Sequence, residues 1–173
     1  MLPYNKNLDL EFNPDNLKTI YLAGGCFWGT DAYMARVLGV AETESGYANG
    51  DKPLPVTYEE VYTDATGYAE VVKVVYDVTS ITLEEILDEF FSITNPTTLN
   101  RQAADVGTRY RSAIYYVDEA DLPIIRAVIA RVQKGFSDPI VTEVGKLINY
   151  QAAEEYHQNY LDKNPNGYCH IRF

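Results

Sequence analysis

At 173 residues the chain fits one domain, and with 46% hydrophobic residues it can bury a substantial core. Its formal net charge of −11, from 14 basic and 25 acidic residues, argues against binding nucleic acid or an anionic membrane, which needs clustered Lys and Arg. No apolar run approaches the ~20 residues of a membrane span. The N-terminus, Met1 to Phe12, lacks the basic-then-apolar form of a secretion signal, so a cytoplasmic location with reduced thiols is expected.

Residues 1–18 read as an N-terminal extension. Thr19 to Ala23 then reads as a buried strand running into Gly24-Gly25-Cys26-Phe27-Trp28-Gly29. Two glycines let the backbone turn sharply, so that Cys26 falls where a helix begins. Unpaired N–H groups and the positive helix end favour a thiolate there, one recognised way to lower a cysteine pKa. The competing reading is a buried cysteine acting as a small apolar residue.

The helix is expected from Phe27 to about Leu38, with Phe27, Met34, Val37 and Leu38 as its apolar stripe and Gly39 ending it. A strand over Val40 to Tyr47 closes in the turn Ala48-Asn49-Gly50-Asp51, and Thr57-Tyr58-Glu59-Glu60 suits a capped helical turn. Ala69 to Tyr76 is the clearest strand. Thr82 caps a helix whose Leu83, Ile86, Leu87, Phe90 and Phe91 follow helical spacing. A polar loop, Asn95 to Gly107, precedes a strand from Arg111 to Val117. Asp118 to Lys134 reads as a helix with Leu122, Ile125, Val128, Ile129 and Val132 inward, Ile140 to Val144 as a short strand, and Ala152 to Leu161 as a last helix. Asn164 to Cys169 is turn and coil chemistry. The expected fold is a single α/β (α+β) domain, a two-layer sandwich of mixed β-sheet and crossover helices with a ferredoxin-like core and a long coil C-terminal tail.

Several residues invite chemistry. On strand alternation Glu70 shares a face with Val72, Val74 and Tyr76, while Lys73 marks the other face as partly solvated. A buried Glu70 would hold its proton near neutral pH and could donate it to an oxygen gaining negative charge; a solvated strand-end acid is the alternative. Tyr47 and Tyr110 adjoin loops beside strands, although with 15 tyrosines most serve the core or the surface. Asp105 could orient a hydroxyl or simply form a turn, and His157 could assist proton transfer or be structural. Only two cysteines occur, Cys26 and Cys169. Their separation excludes a CxxC pair, and two histidines argue against a zinc cluster. Cys169 is either a resolving thiol or part of a disordered end.

Together these motifs closely resemble the A-type peptide methionine-S-sulfoxide reductases. The landmarks are Gly25-Cys26-Phe27-Trp28-Gly29, Gly46-Tyr47-Ala48, Ala69-Glu70-Val71, Thr98-Leu99-Asn100-Arg101-Gln102, Asp105 to Ser112, Glu155-Tyr156-His157-Gln158 and Asn164 to Cys169. The resemblance implies that Cys26 attacks the sulfoxide sulfur and becomes a sulfenic acid as methionine leaves. Glu70, Tyr47 and Tyr110 would bind the sulfoxide oxygen, with Glu70 supplying its proton. Phe27 and Trp28 would form the pocket for the terminal methyl, with Asp105 and His157 placed around the site. Cys169 would condense with the sulfenic acid, and thioredoxin, or dithiothreitol in its place, would reduce the disulfide without any bound cofactor. The substrate would be the S epimer, protein-bound or free. An unperturbed thiol is only about 3% thiolate at pH 7, so the helix start should matter.

Two departures stand out. Tyr68 occupies the place, two before the acid, where the family commonly has histidine. With no third cysteine, Cys169 must both resolve the sulfenic acid and present the disulfide, which calls for a mobile tail, residues 164–173, hinged at Gly167. A monomer is expected. A cysteine hydrolase built on Cys26, His157 and Asp105 would not need Cys169, and a binding module would use Phe27, Trp28 and the tyrosines without turnover.

Overall fold

A computed structural model describes residues 1–173. Strand β1 (Leu17–Gly24), helix α1 (Phe27–Ala35) and strand β2 (Val40–Ala48) are followed by a short α2 (Tyr58–Tyr62), strand β3 (Ala69–Asp77) and α3 (Leu83–Ile93). A two-stranded ribbon, β4 (Arg101–Gln102) and β5 (Asp105–Val106), precedes β6 (Ser112–Tyr116), α4 (Asp121–Gln133), β7 (Glu143–Lys146), β8 (Tyr150–Ala152) and one turn of helix, α5 (Tyr160–Lys163). The remainder, from Asn164 on, is coil.

Six strands form one mixed sheet in the order β7-β6-β1-β3-β2-β8. The pair β6–β7 is parallel, with α4 as its crossover, and the other pairs are antiparallel. The valine run of β3 suits the centre, because β-branched side chains pack well on a pleated surface. Alternation divides the core. Ile20, Leu22, Val72, Val74 and Ile114 face α1, α3 and α4, whereas Tyr21, Ala23, Val71, Ala113 and Tyr115 pack on the other side with Leu147 and Tyr150. Helices pack on one face, and Leu147 and Tyr150 lie against the other. A complete capping box starts α3, in which Thr82 and Glu85 each accept from the other's backbone N–H. The Thr57 hydroxyl accepts from the Glu60 N–H and starts α2 in the same way.

Several boundaries differ from those read in the sequence. Helix α1 stops at Ala35, and Leu38 is exposed. The reason lies in the N-terminal extension, where the buried Asn7 donates to the carbonyls of Ala35 and Val37 and accepts from the Gly39 N–H. Those bonds end the helix early by satisfying its last carbonyls. Within the polar loop, Arg101–Gln102 and Asp105–Val106 pair as a ribbon. Helix α4 begins at Asp121, and its Leu122 is only half-buried. Strand β7 lies at Glu143–Lys146 rather than Ile140–Val144, set by register with β6. The expected helix over Ala152 to Leu161 is instead the end of β8, a 3₁₀ turn at Glu155–His157 and then α5.

Candidate active site

The antiparallel register gathers the candidate residues at one end of the sheet, where β1 and β2 finish and β3 and β6 begin. Gly25, at φ +86°, turns the chain out of β1 in the left-handed region, and a Cβ there would stand 2.6 Å from the Gln102 Cβ. Cys26 is then the N-cap residue of α1. Across the sheet, Tyr47 on β2 pairs directly with Glu70 on β3.

Glu70 is 1% exposed. Its Oε1 accepts from the Phe27 backbone N–H at 3.2 Å, inside the first turn that Cys26 opens. Its Oε2 is buried with no partner. Burial raises its pKa to about 8, against the Phe27 N–H and the Arg109 charge, which act to lower it. The acid is therefore protonated at neutral pH, as its place on the apolar face of β3 implied.

Cys26 departs from expectation. Burial drives its thiol pKa up, and Glu70, once ionised above its own pKa, and Asp105 act in the same direction. The Trp28 N–H, a first-turn donor, pulls it down and is outweighed. The helix end is where the sequence placed it, but the surroundings are dry and acidic, and in the free protein the thiol is neutral.

Tyr47 is fully buried and its hydroxyl donates to Glu154 Oε1 at 2.7 Å; Glu154 Oε2 accepts from the Tyr58 N–H at 2.9 Å. Tyr110 is buried beside the Arg109 guanidinium, which lies 4.3 Å from its ring centroid and 4.2 Å from that of Tyr62. Asp64 fixes Arg109 with bonds to its backbone N–H, 3.0 Å, and to a guanidinium nitrogen, 2.7 Å. Burial raises the Tyr110 phenol to about 12. Burial raises the Tyr58 phenol too, and its ring centroid stands 4.4 Å from that of His157, beside the site. Phe27 is buried under the site, with ring centroids 5.9 Å from Tyr47 and 5.1 Å from His157. Trp28 is half-buried and stacked on Tyr160 at 3.7 Å, and its indole N–H donates to His157 Nδ1 at 3.0 Å.

His157 is thus a buried neutral imidazole that holds a tryptophan, and burial lowers its pKa. Tyr68 also acts away from the reaction: its hydroxyl donates to the Lys52 carbonyl at 2.6 Å and accepts from Asn149 Nδ2 at 3.2 Å. Asp105 faces the C-terminal tail, accepting from the Tyr168 hydroxyl at 3.3 Å. Cys169 is half-buried and unpaired, and its Sγ lies 3.0 Å from where a Cβ of Gly29 would stand. Every candidate read from the sequence therefore lies in or beside this cluster. Tyr58, Glu154, Arg109 and Asp64 were missed. Glu154 and Arg109 adjoin or lie within quoted motifs, whereas Asp64 gave no signal.

A buried neutral thiol at a helix start, a protonated carboxylic acid beside it, an aromatic wall and a second thiol near the first helical turn define a thiol-based redox enzyme on a mixed α/β sheet. The comparisons give the family. Residues 18–173 match the family model "Peptide methionine sulfoxide reductase". Peptide methionine sulfoxide reductase MsrA of Clostridium botulinum (strain Okra / Type B1) is 53% identical over 155 residues, 90% of this chain and 98% of its own. That of Clostridium perfringens (strain 13 / Type A) is 54% identical over 156 residues, 90% and 99%. Among solved structures, Mxr1 from Saccharomyces cerevisiae in reduced form matches with TM-score 0.87 and 40% identity, covering 94% of this chain and 96% of that one. The same yeast protein in complex with Trx2 matches with TM-score 0.61 and 31% identity, covering 87% and 89%. The chain belongs to the peptide methionine sulfoxide reductase family, of the A type, and is an oxidoreductase, a peptide-methionine (S)-S-oxide reductase.

Proposed function

We propose that Cys26 is the nucleophile of this methionine sulfoxide reductase, Glu70 its acid and Cys169 its recycling thiol. One observation carries the reading: Glu70 is buried and protonated, its Oε1 held by the turn that starts at Cys26 and its Oε2 without a partner. A sulfoxide oxygen meeting Oε2 would accept the hydrogen bond that this atom lacks and then the proton. Tyr110 would supply a further donor, and Tyr47 would join it when its hydroxyl turns from Glu154 to the sulfoxide oxygen. The half-buried indole of Trp28, rather than the covered Phe27, would offer the contact surface for the terminal methyl.

Protonating the oxygen makes the substrate sulfur electrophilic. The Cys26 sulfur bonds to it as the thiol proton passes to the Glu70 carboxylate, left ionised by the first transfer. The hydroxyl then moves to the Cys26 sulfur; the substrate S–O bond and the bond between the two sulfurs break, so Cys26 becomes a sulfenic acid and the reduced methionine leaves. Cys169 then attacks the sulfenic sulfur; the S–O bond breaks, a disulfide forms and the oxygen leaves as water. For this the tail must bring the two Cα atoms within about 4.4–6.8 Å, with Gly167 as its hinge. Two electrons from an external dithiol close the cycle. The yeast relative's complex with Trx2 supports a thioredoxin in that role. We assign the activity to a single-domain monomer of the cytoplasm; no helix is long and apolar enough to cross a membrane.

The test is turnover of separated R and S epimers of a methionine sulfoxide peptide with dithiothreitol or thioredoxin. The S epimer alone should be reduced. Mass spectrometry should find a Cys26–Cys169 disulfide in the wild type and a trapped sulfenate in Cys169→Ser, and Cys26→Ser should be inert. Turnover in Cys26→Ser would overturn the assignment.

A further inference from the structure

The four residues from Tyr168 to Ile171 hold the second thiol by more than chain connectivity. Ile171 is buried, and its Cδ1 lies 2.9 Å from where a Cβ of Gly29 would stand; the Cys169 Sγ lies 3.0 Å from the same point. Any side chain at position 29 would therefore displace both. The Ile171 N–H approaches the Cys169 Sγ at 3.4 Å and fixes its direction. On either side of Cys169, Tyr168 and His170 reach one carboxylate oxygen. The Tyr168 hydroxyl donates to Asp105 Oδ2 at 3.3 Å, and His170 Nδ1 stands 3.9 Å from the same atom.

The His170 side chain is 6% exposed, and neither of its ring nitrogens makes a well-formed hydrogen bond, although the Gly24 carbonyl comes near enough to favour the protonated ring. Its Cε1 lies 3.4 Å from where a Cβ of Gly25 would stand, against the turn that presents Cys26. Leaving a buried imidazole unpaired is costly. A small movement of the tail that closes the gap to Asp105 would pair Nδ1, so the ring favours a tail drawn toward Asp105.

We propose that Gly29, Tyr168 and His170 are positioning residues for the recycling step: Gly29 is the seat of Cys169, and Tyr168 and His170 clip it there through Asp105. The proposal rests on the reading of Cys169 as the recycling thiol. None of the three touches the reacting atoms; they set how often the Cys169 sulfur meets the oxidised Cys26.

Single-turnover kinetics with enzyme in excess over an S-sulfoxide peptide separates the steps, with methionine release reporting the first and dimedone-trapped sulfenate against disulfide the second. In Gly29→Ala, Tyr168→Phe and His170→Gln, methionine should be released as in the wild type. Disulfide closure should slow in each, by about tenfold in Tyr168→Phe, the scale of one hydrogen bond to a charged group, with sulfenate accumulating. Alanine is the better helix former, so Gly29→Ala keeps its fold. General damage would slow both steps together, and that result overturns the proposal. So does wild-type closure in all three variants, while stalled Cys169→Ser leaves the recycling reading intact. Should Cys169→Ser itself cycle normally with thioredoxin, the recycling reading fails and takes the clip with it.

Discussion

Glu70 shows what one buried side chain can set. Its folded pKa, about 8, lies above the ordinary glutamate value, so between those limits the folded state holds a proton that the unfolded chain has released. Stability therefore falls as pH rises through that window, by up to a few kcal/mol at about 1.4 kcal/mol per unit, and levels off above it. Glu70→Gln should remove this slope. Thermal unfolding at a series of pH values from 5 to 8 should show the variant gaining on the wild type as pH rises. Activity should move the opposite way: Glu70→Gln should lose about 10²–10⁴-fold in kcat, and the wild-type rate should decline as pH rises past about 8, where the acid is spent. An equal pH slope of stability in both proteins would contradict a protonated Glu70. At this scale the sequence was legible, because alternation along the Val-rich strand already placed the acid with Val72, Val74 and Tyr76. The thiol was not. A helix start is visible in Gly24-Gly25-Cys26, but the desolvation around Cys26, and after it the nearby acids Glu70 and Asp105, come from distant segments and decide its pKa.

Among the elements, the turn at Glu155–His157 replaces an expected helix and thereby gains its role. On a continuous helix His157 would face whatever side its periodicity dictated. In the 3₁₀ turn after β8 its Nδ1 accepts from the Trp28 indole, while Tyr160 of α5 stacks on the other side. Trp28 is the single tryptophan, so its fluorescence reports this contact directly. His157→Ala should shift the emission to longer wavelength and raise KM for sulfoxide peptides several-fold, consistent with loss of one hydrogen bond and its packing, about 1–2 kcal/mol. An unshifted spectrum with unchanged KM would show that the imidazole does not hold the ring. The capped starts of α2 and α3 were readable, because capping is local. The early end of α1 was not, since Asn7 delivers it from 28 residues away.

Over the whole molecule, the proposed cycle can leave the sheet fixed and asks the tail to change. Closing a Cys26–Cys169 disulfide asks residues 164–173 to shift locally against the first turn of α1, while the sheet register can stay as it is. Hydrogen exchange of the reduced and disulfide forms should therefore differ at residues 164–173 and in the first turn of α1, with β1, β3 and β6 equally protected in both. A difference spread through the sheet would contradict a moving tail on a fixed frame.

The sequence by itself determined the strand–helix alternation, Cys26 at a helix start, Glu70 on an apolar strand face and, through ordered motifs, the family. These depend on neighbours one to four residues apart, where period, turns and caps act. Tertiary structure alone decided that the Cys26 thiol is neutral, that His157 serves Trp28, that Tyr68 is committed to the Lys52 loop and that Cys169 sits on Gly29. Each depends on desolvation or on a partner from a remote segment, and neither is a property of local sequence.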